Sequence, residues 1–197
     1  MKKITSALAI VMLLCIACTK QDSQPLKTSN DLSVQNTNSF LASHFIGERF
    51  GGGVIFMLNK SKIHGLISDT IDLGLTGYND VSNIITGASA TAIGTGFANT
   101  RTIKAVQGNT DQYAALLCLE STRGGFTDWF LPSKDELNGL FLHRKIVGGF
   151  VRSAYWSSSE TYGQGYGTAW SQDFIRGTQD PYSSKQGWYY VRAIRAF

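Results

Sequence analysis

Apolar and polar positions alternate most clearly at the two ends of the chain. Lys2 and Lys3 precede an apolar run from Ala7 to Ala17, too short to span a bilayer as a helix and followed by Cys18. From Thr19 to about Ser43 large apolar residues nearly vanish among Ser, Asn, Gln and Thr. Two short apolar runs then flank a polar turn: Val54–Leu58, Asn59-Lys60-Ser61-Lys62 and Ile63–Ile67, the pattern of a β-hairpin. Residues 86–100 are small and polar, a loop leading into a helix from about Ala98 to Gln107. Apolar positions 113, 116, 117 and 119 predict a second helix over Asp111–Glu120. Thr127–Leu131 predicts a short strand stopped by Pro132. Ser133-Lys134-Asp135-Glu136 has the spacing of a capping box, opening a helix with Leu137, Leu140 and Phe141 on one face and an end near Gly148-Gly149.

The 47 residues from Val151 to Phe197 break this regularity. Apolar anchors (Trp156, Ala169, Trp170, Phe174, Val191, Ile194) alternate with runs such as Ile175–Thr178 and Asp180–Ser184 that have neither a helical nor a strand period. Fixed ends with irregular polar and aromatic runs between them describe loops presented by a scaffold, the usual carriers of binding. Composition adds to this: six of the eight tyrosines and three of the four tryptophans lie here, among seven serines and five glycines. Tyr and Trp supply rigid contact area while Ser and Gly adapt around it, as on antibody-like surfaces.

The N-terminal pattern is that of a secretory signal peptide, and Ala17-Cys18 fits a bacterial lipobox. Residues 1–17 are therefore expected to be a lipoprotein leader, Cys18 the lipidated first residue, 18–46 a flexible tether and 47–197 one ligand-binding domain. The expected location is the outer membrane, lipid-anchored and facing the exterior. The chain carries 18 basic and 14 acidic residues; without Lys2 and Lys3 the count is 16 against 14. That small excess, with no Lys/Arg stripe, speaks against nucleic acid as a partner. Cys118, within the apolar run Ala114–Leu119, reads as a buried small hydrophobe, and no disulfide framework is expected.

Catalytic chemistry is not visible. His44, His64 and His143 lack metal-ligand spacing, Gly51-Gly52-Gly53 precedes a strand rather than following one, and Ser157-Ser158-Ser159 is no nucleophile elbow. The expectation is a non-enzyme with no cofactor and no metal.

Several separated motifs bear a resemblance. GGGVIFML (51–58), HGLIS (64–68), TAIGTGFANT (91–100), TDWFLPSKDEL (127–137), YWSSSE (155–160), Ala169-Trp170, Phe174, Gly177, Lys185 and VRAIRAF (191–197) stand in the order found in the Lcl C-terminal domain family, named for a bacterial collagen-like adhesin. The resemblance spans about 150 residues. It implies an α+β, C-type-lectin-like fold, shared in outline with formylglycine-generating sulfatase activators, having short antiparallel strands and two to three helices. It also implies a sugar- or protein-binding role in adhesion. The Glu-Pro-Asn and Gln-Pro-Asp triplets of calcium-dependent lectins are absent, so no calcium site is carried over, and Cys118 alone cannot supply the activators' cysteine pair.

A narrower resemblance is to the variable proteins of diversity-generating retroelements, whose adenine-directed mutagenesis turns asparagine codons into Tyr, Ser, Asp, Ile, Thr and Gly. On these grounds the residues expected to touch ligand are Tyr162, Gln164, Tyr166, Ser171, Asp173, Arg176, Thr178, Asp180, Tyr182, Ser183, Gln186 and Trp188, with Trp156, Trp170 and Phe174 as scaffold. The partner is a glycan or a protein at the cell surface. A structural envelope protein whose tail packs on a neighbour is the alternative.

Overall fold

A computed structural model describes residues 43–79, 84–109, 111–163 and 166–197. The expected leader, Cys18 and the tether through residue 42 lie outside the described residues, as does Gln164.

The described residues form a mixed α+β fold with two sheets and four α-helices. Strands β1 (Arg49–Phe50), β2 (Gly53–Leu58) and β3 (Gly65–Ser68) make the N-terminal part. The β2–β3 hairpin is the one its apolar runs predict, with the non-glycine Lys62 at φ 58° in its turn. After β4 (Gly74–Thr76) come α1 (Gly96–Gln107), α2 (Ala114–Leu119), α3 (Lys134–Leu142) and α4 (Arg144–Val147). The C-terminal stretch supplies β5 (Ala154–Gly163), β6 (Tyr166–Asp173), β7 (Gln179–Ser184), β8 (Tyr189–Val191) and β9 (Ile194–Ala196).

One sheet has the order β1-β2-β3-β9 and the other β4-β8-β5-β6-β7. The last strand thus closes on the first hairpin, with Leu66, Ile67 and Ser68 opposite Ala196, Arg195 and Ile194. Apolar side chains cover both faces of the central strands. Ile55 and Ile67 join Ile103, Ala115, Trp129 and Trp156 in one cluster, which includes residues of α1 and α2. Val54, Phe56, Tyr155 and Phe174 join Leu137, Leu140 and Val147 in a second, against α3 and α4. Burial on both sides is why residues 54–58 read as a continuous apolar run instead of an alternating one.

The capping box forms as its spacing predicts. The Glu136 N–H donates to Ser133 Oγ (3.3 Å) and the Ser133 N–H donates back to Glu136 Oε2 (2.7 Å). Glu136 also accepts from the Gly94 N–H at 2.7 Å, tying the 91–96 loop to α3. Burial raises its carboxyl above the usual range, and these N–H donors oppose the rise.

Four expectations change. The single helix running to Gly148 is two helices, since His143 (φ −100°, ψ 9°) breaks the series before α4, which Gly148 (φ 74°) then ends. The helix expected from Asp111 starts at Ala114, because the Ala114 N–H goes to Gly77 O and the Thr76 hydroxyl holds Gln112 O. Thr127–Leu131 is not a strand: Phe130 alone bridges to Ile194, while Asp128 turns to Arg195 and the Trp129 indole donates to Arg123 O. Residues 43–46, expected as the end of the tether, also pack on the domain. The His44 N–H donates to Lys62 O (2.8 Å), its ring stacks with Phe50 and Phe197, and Ile46 packs on the core.

Candidate functional site

β7 is an edge strand, and with the turns on either side of it forms the most exposed part of the C-terminal stretch. Asp180–Ser184, expected as a loop, is most of this strand. It shows no hydrophobic period because its outward side chains meet water and its inward one is a serine. Asp180 Oδ1 accepts the Tyr182 N–H at 2.9 Å, and the Thr161 hydroxyl of β5 donates to Pro181 O. A strand N–H already held by its own neighbour is not free to pair with another chain.

The β6–β7 turn is shaped by Asp173. Its carboxylate accepts the N–H groups of Ile175 (2.6 Å) and Arg176 (3.2 Å) and faces the Arg176 guanidinium at 3.3 Å. The Ile175 N–H foremost, with that of Arg176, holds the Asp173 carboxyl below the usual carboxylate range. Gly177 closes the turn at φ 85°, so near Phe141 that a Cβ would clash with its ring. Ile175, Arg176 and Thr178 are thereby presented to solvent.

At the other end the Gly187 N–H donates to Ser184 O, leaving Gln186 and Trp188 exposed. This turn is anchored from within. Lys185 is buried, its ammonium bonded to Glu160 and to Ile84 O (2.7 Å) and lying 5.3 Å from the Tyr78 ring centroid. Glu160 in turn accepts the N–H groups of Thr86 (3.0 Å) and Gly87 (2.8 Å). One ion pair therefore fixes the display turn and the 84–87 loop to the same strand.

The sequence-predicted residues divide. Arg176, Thr178, Asp180, Tyr182, Gln186 and Trp188 are exposed. Asp173 is half-buried and occupied by its turn. Ser171 and Ser183 are corrections: both are buried, their hydroxyls 2.7 Å apart, with Ser183 also donating to Asp180 Oδ2 at 3.0 Å. Serine is small enough to pair across β6 and β7 where a larger residue would not fit. Tyr162 and Tyr166 lie opposite Gly167 and Gly163 on the β5–β6 hairpin, which their backbones form. The exposed residues are spread along a six-residue strand, about 20 Å with its turns at the ends.

The scaffold assignment holds for Trp156 and Phe174, both buried, but not for Trp170. Phe174 stands just past β6 and packs on Phe141, Phe150 and Tyr155. Trp170 meets the first residue of α3 instead, with the Lys134 ammonium 5.1 Å from its ring centroid, and stays partly exposed. Sequence reasoning missed this pair; a lysine following an N-cap serine was its only trace.

The serine triplet is structural. Within a β-bulge, Ser157 Oγ donates to Trp170 O (2.8 Å) and Ser159 Oγ to Ala90 O (2.7 Å), and the Ser158 N–H donates to Pro132 O (2.7 Å). The histidines are dispersed: His44 faces Glu48, and the Nδ1 atoms of His64 and His143 lie near Phe197 O and Gly139 O. Among the described residues no group of three or more His, Cys, Asp or Glu could hold a metal ion, and no helix is long and apolar enough to cross a membrane. Compared with protein-family models and with curated proteins, the chain matches none.

Proposed function

We propose that this protein is a lipid-anchored protein of the bacterial outer surface whose C-type-lectin-like domain, of the Lcl C-terminal type, binds a glycan chain or a protein through the β7 edge and its two flanking turns. Binding, not catalysis, is its role, and the face is a candidate for retroelement-driven diversification. One observation carries this conclusion. Tyr182 and Trp188 are 67% and 70% exposed, while Tyr155 and Trp156 of the same sheet are wholly buried. An aromatic left in water beside a turn that is anchored from below is the arrangement of a contact residue. A face about 20 Å long suits an extended or macromolecular ligand better than a single small molecule.

The frame also separates display from stability. Arg176, Thr178, Tyr182, Gln186 and Trp188 can change while the Lys185–Glu160 pair and the aromatic cluster under the sheet stay in place.

The test begins with glycan and surface-protein arrays to find a ligand for the wild-type chain. Tyr182→Ala, Trp188→Ala and Arg176→Ala are then measured for binding and for melting. At least one aromatic change should weaken binding by about 2 kcal/mol, roughly thirtyfold, with melting unmoved. Unaltered affinity in all three variants would remove the β7 face as the binding surface.

A further inference from the structure

A second surface lies near the first described residues of the chain. Phe45, Leu142 and Ile146 are each more than half exposed. Leu142 ends α3 and Ile146 lies in α4, on either side of His143, whose carbonyl accepts the N–H groups of both Ile146 and Val147. Ile146 covers the 45–48 turn: a Cβ on Gly47 would stand 2.8 Å from its Cγ2, and Gly47 has φ 94°. The Glu48 N–H donates to Phe45 O within that same turn, so Phe45 belongs to the segment that Ile146 covers.

Cations lie on the same segments or on ones bonded to them. Lys145 is exposed between Leu142 and Ile146 in sequence, and Arg144 lies 3.8 Å over the Phe141 ring. Arg49 is exposed in β1, and Lys62 receives the His44 N–H at its carbonyl. None of these four cations is paired with a carboxylate among the described residues; the nearby Glu48 faces His44. Exposed Phe, Leu and Ile on segments that also carry Lys and Arg with no carboxylate partner among the described residues is the composition of a surface that lies on a bilayer interface. The position in the chain argues the same way. Residues 19–42 separate Cys18 from Ser43, a stretch that reaches at most about 80 Å.

We infer that the Phe45–Leu142–Ile146 surface, with Arg49, Lys62 and Lys145, rests on the anionic lipid headgroups of the membrane to which Cys18 would tether the chain. This rests on the lipid-anchor reading for its proximity to the bilayer, and on the exposed side chains for its orientation. The turn before Trp188 is joined to a different segment, with the Tyr78 N–H donating to Lys185 O, and on this proposal it faces away from the lipid.

The experiment places an environment-sensitive thiol probe on Leu142→Cys and, separately, on Trp188→Cys, in the full-length protein purified after export. Cys118 is buried and burial raises its thiol well above the usual range, so it stays unlabelled. Each protein is mixed with phosphatidylethanolamine–phosphatidylglycerol vesicles carrying a quencher at headgroup depth. Strong quenching at position 142 and none at 188 is expected. Lys145→Gln should weaken vesicle binding about fivefold, and vesicles of phosphatidylcholine should quench less. Equal quenching at both positions, or none at either, overturns the proposal. The mass of the N-terminal peptide reports separately whether Cys18 carries lipid. An unlipidated peptide would refute the anchor and leave Cys18 open to the probe; the contrast between 142 and 188, repeated with Cys18→Ser, would then decide the membrane-facing surface.

Discussion

Two ion pairs near the display face look alike in sequence and differ completely in setting. Lys185 and Glu160 are each 1% exposed, whereas Arg176 is 76% exposed and Asp173 24%. Burial makes the first an obligatory pair. Losing its partner would leave a charge inside the protein, and the desolvation penalty of that charge is several kcal/mol. Solvent makes the second almost free to vary, since water replaces whatever the partner gave. A single stretch of chain thus holds side chains that fix the frame and side chains that the frame displays, interleaved within a few residues.

The widest separation should come from Lys185→Met. It strands Glu160 and frees Ile84 O, and a loss of about 3–5 kcal/mol in urea melts is expected. Changing Glu160 to Met as well should recover part of it. A single-mutant loss below about 1 kcal/mol would mean that the pair behaves like a surface one.

Next come the two aromatics expected to be equivalent scaffold. Phe174→Ala should cost about 3–5 kcal/mol, as for a buried ring among three others. Trp170→Ala should cost only about 1–2 kcal/mol, because part of its surface already meets water. Equal losses would show that Trp170 is covered in solution.

Asp128 tests an intermediate case, paired with a nearly buried Arg195 but itself half in water. The Arg195 guanidinium holds its carboxyl below the usual range. The folded pKa is thus below the unfolded value of about 3.9, so its contribution is full above that value and fades as pH falls through the folded pKa. Screening keeps the effect under about 1 kcal/mol. The melting-temperature gap between wild type and Asp128→Asn should therefore narrow on acidification from neutral pH; a constant gap would contradict the pairing.

The smallest effects belong to the display residues. Arg176→Ala and Tyr182→Ala should each shift stability by no more than about 0.5 kcal/mol. A Tyr182→Ala loss matching Phe174→Ala would make the β7 edge part of the core.

What the sequence makes legible follows from how local each signal is. The β2–β3 hairpin and the Ser133–Glu136 box rest on residues three to fourteen positions apart, and both form. The polar interior of the second sheet is the opposite case. Ser171 and Ser183 were expected to touch ligand, and Gln172, Lys185 and Glu160 are polar by type, yet all five are buried. Their partners are Asn138, Ile84 and Thr86, or one another across strands, and no periodicity within the stretch marks such pairings. Arg192 is similar: its guanidinium is enclosed by Asp72, Asp69 O and Gly149 O, far away in the chain. Of the display face, the aromatic and turn residues were legible as exposed, but the serines were not, because a hydroxyl suits water and a buried hydroxyl partner equally.

The closure of β9 onto β3 bears on which copies of the protein reach their destination. Translation makes the display stretch before the strand that completes the N-terminal sheet. A premature stop or frameshift anywhere from β6 to β8 removes β9, together with Arg192, Ile194 and Arg195. It leaves the β3 edge and both core clusters uncovered. Such a chain is expected to fail to fold and to become a substrate for proteases, so damage to the β7 edge by a shifted frame would not be carried on an intact body.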